Sequence, residues 1–159
     1  MGILSEDMKR AVREQWLGYI GSVSRDGSPH VSPRATVTVW DDDHLVFAEI
    51  HSESTVANLR ANAAVEINVV DPMIQRGYRF KGRAAVHTSG PIFDMMVRAY
   101  LECGIPGAVT SVVLVTVEQA ADLISPIYDS GISEGEVRDA WRVYWDSRRP
   151  DGAADSSRG

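Results

Sequence analysis

Residues 18–40 read GYIGSVSRDGSPHVSPRATVTVW, the pattern of a β-hairpin. Tyr19 to Ser24 is a short β-prone run, Arg25-Asp26-Gly27-Ser28 is a turn, and Pro29 to Trp40 is a second extended run. An Asp-Gly pair between two such runs is the strongest short-range hairpin signal, because glycine enters the positive-φ region that tight hairpin turns require. Side chains alternate along a strand, so His30, Ser32, Arg34, Thr36 and Thr38 are expected on one face and Val31, Pro33, Ala35, Val37 and Val39 on the other. One face of the second strand is therefore polar and rich in hydroxyls.

Before the hairpin, Ser5 caps a helix in which Met8, Val12 and Trp16 share a face, with Gly18 as its stop. After the hairpin, Asp41-Asp42-Asp43 makes a turn, Leu45 to Ile50 a third strand, and Ser54 to Asn62 a short helix with Val56 and Leu59 inward. The aspartate triplet also reads as a metal or acid-base cluster, but such triplets at a hairpin tip are ordinarily solvated turns. Val65, Ile67 and Val69 mark a strand that Asp71-Pro72 ends. Tyr78 to Thr88 follows, with an apolar face and a basic face carrying Arg79, Lys81 and Arg83. Gly90-Pro91 opens a helix whose buried side is Ile92, Met95, Met96 and Tyr100 and which ends near Gly104. Val109 to Val117 is almost wholly β-branched, as expected of a strand covered on both faces. Ser133 and Glu136 form a capping box for a last helix to Arg148, striped by Val137, Trp141, Tyr144 and Trp145. Residues 1–148 are read as one domain and 149–159 as a disordered tail. Six strands in a meander, with helices between, predict a mainly β fold: an antiparallel barrel with flanking helices rather than a parallel α/β sheet.

The chain has 159 residues, with 16 Lys and Arg against 22 Asp and Glu, a net charge of −6. That sign argues against nucleic acid as a partner. One cysteine, Cys103, permits no internal disulfide, and the opening MGILSEDMKR turns charged before any apolar export segment develops. No membrane partner and a cytoplasmic location are the expectation. Neither GxGxxG nor GxxxxGK occurs, and His30, His44, His51 and His87 lack metal-motif spacing, so no metal is expected.

Ser52, Ser54 and Thr55 stand at the start of the short helix, where backbone N–H groups and the helix dipole favour an anion. With Arg34 from the hairpin, and Arg79 or Lys81 from the later strand, they compose a phosphate cradle. Taken alone, the same residues read first as a serine cap, with Ser54 capping the helix, and ordinary surface arginines.

The run LGYIGSVSRDGSPHVSPRATVTVWDDDHLVFAEIHSESTVANLRANAAVEINVVDP, followed by GYRFKGRAAVHTSGP, resembles the pyridoxamine 5'-phosphate oxidase-like FMN-binding family over residues 16–120. The resemblance implies a split β-barrel homodimer holding FMN, or in some branches the deazaflavin F420, in a cleft at the dimer interface. By position, Arg34 matches the arginine that contacts the flavin phosphate, Ala35 and Thr36 match residues lining the ring, and Ser52 to Thr55 match the phosphate loop. Many members carry Lys or Arg where this chain has Ser54, and the C-terminal substrate-binding extension of the true oxidases is not expected here, so their reaction is not assigned. The reading is an FMN-dependent oxidoreductase acting on a small organic molecule. Alternatives are an F420-dependent reductase, or a non-catalytic flavin or haem binder with His30 or His51 as axial ligand.

Overall fold

The computed structural model describes residues 2–50, 53–105 and 108–149. The expectations for His51, Ser52 and the tail beyond Arg149 lie outside the described residues.

Seven strands form one antiparallel sheet: β1 (Gly18–Val23), β2 (Pro29–Arg34), β3 (Thr38–Val39), β4 (His44–Glu49), β5 (Ala64–Asp71), β6 (Arg76–His87) and β7 (Ser111–Ile124). Their order across the sheet is β2-β1-β5-β6-β7-β4-β3. The two edge strands, β2 and β3, are consecutive in sequence. The chain therefore crosses from one edge of the sheet to the other in the three residues Ala35 to Val37, and this crossing curls the sheet into a split barrel.

The expected single strand Pro29 to Trp40 is thus two strands, which raises the count from six to seven. Proline donates no ladder hydrogen bond, so Pro29 and Pro33 restrict β2 to an edge, with β1 as its neighbour. Past Arg34 the chain turns. Thr36 is held there by its hydroxyl, which donates to the Ala48 carbonyl at 2.9 Å and accepts from the Ala48 N–H at 3.1 Å. Gly27, at φ 84°, turns the β1–β2 hairpin.

The barrel interior packs Ile20, Phe47, Ile67, Phe80, Val113 and Val115, all fully buried. A second cluster lies outside the barrel, where Val46, Ala48 and Val112 meet Met96 and Tyr100 of α3 (Pro91–Glu102). β4 from Leu45 to Ala48 and the first half of β7, Val112 to Val115, are accordingly apolar on both faces. Gly82 sits at the bulge where β6 shifts register against β7, and a Cβ there would lie 1.9 Å from the Thr116 carbonyl oxygen.

Helix α1 (Glu6–Gln15) is capped by Ser5 and lays Val12 on the barrel interior. It stops before Gly18: Trp16 takes a left-handed conformation, φ 54°, and turns out to 53% exposure instead of continuing the buried stripe. Lys9 reaches Asp42 and Glu6, and the Ile3 N–H donates to Asp43 at 2.8 Å, so two members of the aspartate triplet dock α1. Hydrogen bonding to Asp42, then to Glu6, raises the Lys9 pKa above its ordinary value. Helix α2 (Glu53–Ala61) buries Val56 and Leu59.

Helix α4 (Glu134–Asp146) begins with the capping box Ser133–Glu136. It is tethered by Arg76–Glu134 and Arg138–Asp71, and buries Val137. The rest of its expected stripe is not core. Trp141, Tyr144 and Trp145 pack on one another with Tyr144 and Trp145 exposed, and Met95 of α3 is likewise exposed. Helical periodicity locates a face but not the partner that covers it. Among the described residues, no helix is long and apolar enough to cross a membrane.

Candidate functional site

The inner face of β2 carries His30, Ser32 and Arg34, and all three turn toward the first turn of α2. Thr55, fully buried, is the hub. Its Oγ1 lies 3.1 Å from Ser32 Oγ and 3.3 Å from His30 Nε2, and it accepts a hydrogen bond from Arg34 Nη2 at 3.2 Å. The Arg34 guanidinium is itself nearly buried. It donates to the Pro33 carbonyl at 2.7 Å, and its Nη2 and Nε reach the same Glu49 oxygen at 2.9 and 3.2 Å. Glu49 is the last residue of β4 and is 3% exposed. Burying a carboxylate costs several kcal/mol unless a cation answers it, and Arg34 is that cation.

Beside this pair runs a cleft of about 560 Å³, lined by Trp16, Arg34, Ala35, Thr36, Glu49 and Ile105 among others. It adjoins a more apolar cleft of about 390 Å³, which shares Trp16, Ala35, Thr36 and Ile105 and adds Met96 and Tyr100. The Ala35–Val37 crossing forms their common wall. Tyr100 fixes that wall, donating its hydroxyl proton to the Thr36 carbonyl at 2.8 Å. Burial raises the Tyr100 pKa well above its ordinary value, so the phenol remains a donor. An apolar slot of this size with a few polar groups at one end is the usual form of a small-molecule site.

The sequence-predicted residues fall into two groups. Arg34, Ala35, Thr36 and Thr55 come together at the cleft and beneath it, and Ser54 is exposed in the same first turn of α2. Arg79 and Lys81 lie on the other face of the sheet. Asn68 pairs with both Tyr19 and Arg79, and Glu66 with both Gly21 and Lys81, which puts these residues in rows facing away from Arg34. Arg79 and Lys81 there both pair with Glu66, at 3.0 and 3.6 Å. Within one chain they do not reach Arg34. Glu49, Trp16, Tyr100 and Ile105 were not anticipated. Glu49 had a visible signal: it is a charged residue closing the buried run Leu45 to Ala48.

Residues 4–120 match the family described as pyridoxamine 5'-phosphate oxidase, and the chain belongs to this family. Among solved structures it is similar to HupZ of Group A Streptococcus, at 28% identity and a TM-score of 0.71, over 76% of this chain and 94% of that one. It shares the fold of an FMN-binding protein from Syntrophomonas wolfei subsp. wolfei, at 14% identity and a TM-score of 0.64, over 75% and 85% of the chains. It also shares the fold of an F420 reductase, at 19% identity and a TM-score of 0.58, over 74% and 98%. No curated protein matches the chain.

The groups present fit the two ends of FMN unequally. The apolar walls around Ala35 and Thr36 suit a flat ring. The phosphate end offers one guanidinium that a carboxylate already holds, and the sequence from Ala35 to Leu59 contains no Lys or Arg.

Proposed function

We propose that this chain is a flavin-dependent oxidoreductase with a cofactor of the FMN class, acting on a small organic substrate. The observation that carries the reading is the cleft beside Arg34, walled by the Ala35–Val37 crossing in a member of this family. A bound flavin would supply the hydride or electron transfer, so a dedicated catalytic acid or base is not required of the protein. The chain's own contribution is placement. Trp16 and Ile105 would cover the ring and exclude water, Tyr100 holds the Thr36 backbone in position, and Arg34 marks the polar end.

The homodimer is part of this proposal. The outer face of β1 and β2 exposes Tyr19, Val23 and Val31, the last at 65%, next to the Glu66–Lys81 pair. An apolar strip beside charges suits a second copy of the chain better than water. Nothing in the described residues favours F420, whose longer acidic tail meets the same shortage of cations. His30 is engaged with Thr55 beneath α2, so haem ligation gains no support from it.

The test is a flavin titration of the wild type, Arg34→Ala and Ser54→Ala, with melting curves as fold controls. Arg34→Ala should weaken FMN binding by about tenfold, because it leaves Glu49 facing the ligand unanswered, and Ser54→Ala by less than about threefold. Equal affinities for the two variants would remove Arg34 from the site.

A further inference from the structure

We infer that Glu49 is a specificity residue of the cleft, which makes it select the flavin ring and not the 5'-phosphate. The inference rests on the flavin reading above and extends it. A phosphate monoester carries between one and two negative charges near neutral pH and is gripped where unanswered Lys or Arg side chains meet it. The Arg34 guanidinium has its Nε and Nη2 turned to Glu49, a second Nη2 contact to Thr55, and one Nη1 N–H donated to the Pro33 carbonyl, so four of its five N–H groups are engaged. Its charge is matched by a carboxylate that is itself buried, so the pair presents no net positive charge to the cleft.

The segment around the pair supplies no replacement, and Arg13 of α1 lines the adjoining apolar cleft, not this one. No Lys or Arg occurs from Ala35 to Leu59, the segment that contains the wall, strand β4 and the start of α2. Arg79 and Lys81 are on the opposite face of the sheet and paired with Glu66. A phosphate at this end would lie against Glu49 and gain little from Arg34, whereas an uncharged ribityl hydroxyl can exchange hydrogen bonds there without opposing a charge. The ligand class that fits is therefore a flavin ring with a neutral polar chain.

The experiment titrates the full chain with riboflavin and, separately, with FMN, following quenching of flavin fluorescence, for the wild type and Glu49→Gln. The wild type should bind the two flavins with affinities within about threefold of each other. Glu49→Gln should tighten FMN by about tenfold, because Arg34 is then offered to the phosphate, and shift riboflavin by less than about threefold. Retained riboflavin binding also shows that the variant is folded; should Glu49→Gln fail to fold, the wild-type ratio alone decides. A wild-type preference for FMN of about tenfold or more would overturn the inference while leaving the flavin reading intact, as would a folded Glu49→Gln with unaltered FMN affinity. Binding of neither flavin to the wild type would overturn both.

Discussion

Arg34 Nη2 and Nε converge on one carboxylate oxygen of Glu49, at 2.9 and 3.2 Å, across the gap between edge strand β2 and the end of β4. The contact spans the seam where the sheet is not closed by strand pairing, so it ties the two sides of the split barrel together. Both groups are largely withdrawn from water, and removing one member of such a pair leaves the other as an uncompensated buried charge.

Arg34→Met should therefore destabilise the fold by about 3 kcal/mol, whereas Arg34→Met combined with Glu49→Leu should recover most of that loss. Urea denaturation of the wild type, both single variants and the double variant measures the coupling. Additive losses would mean that the pair contributes nothing as a pair.

The hairpin, the helix starts and the valine-rich β7 were legible because each has a local cause: Asp26-Gly27 in a turn, Ser5 and Ser133 as caps, β-branched residues in a doubly covered strand. The break at Ala35 was not, because the alternating polar and apolar pattern runs unaltered from His30 to Val39. What breaks the strand is tertiary: Thr36 bonding to Ala48, and Tyr100 to Thr36. The candidate site was half legible for the same reason. Arg34 could be placed by family resemblance, but the pairing with Glu49 depends on which strands border the seam, and no local pattern encodes that.

Stability should fall at both ends of the pH range, for assignable reasons. Glu136 is held below its ordinary value of 4.5 by the Ser133 backbone N–H and then the Ser133 hydroxyl. Asp26 is held below 3.8 by the hydroxyl and then the backbone N–H of Ser28. A lowered carboxyl pKa contributes stability that is present above the unfolded value and lost as pH falls through the folded one, so Glu136→Gln should flatten the acid limb beginning at 4.5. Tyr100, raised above 10.0 by burial, and Lys9, raised above 10.5 by Asp42, act oppositely. Their contribution is complete below those values and lost at higher pH, so Tyr100→Phe should flatten the alkaline limb. Denaturation midpoints measured across pH 3 to 11 check both; limbs unchanged in the two variants would refute the assignment.

Sedimentation equilibrium should give twice the chain mass of 17.4 kDa, and Val31→Arg should shift the mass toward a single chain. Placing a guanidinium at the centre of an apolar strip opposes its burial against a second copy. A wild-type monomer, or a Val31→Arg dimer of undiminished strength, would show that the outer face of β1 and β2 is not the interface.

The cleft between Trp16, Ala35, Thr36 and Ile105 is where the flavin ring is assigned, and filling it should abolish that site. Ala35 is exposed on the crossing wall, so Ala35→Trp puts an indole into the cleft without disturbing the buried core. Flavin fluorescence titration of the wild type and Ala35→Trp, with melting curves in parallel, should show affinity falling by about tenfold or more while the melting temperature holds. Undiminished flavin binding by a folded Ala35→Trp would place the ligand elsewhere and contradict the assignment of this cleft.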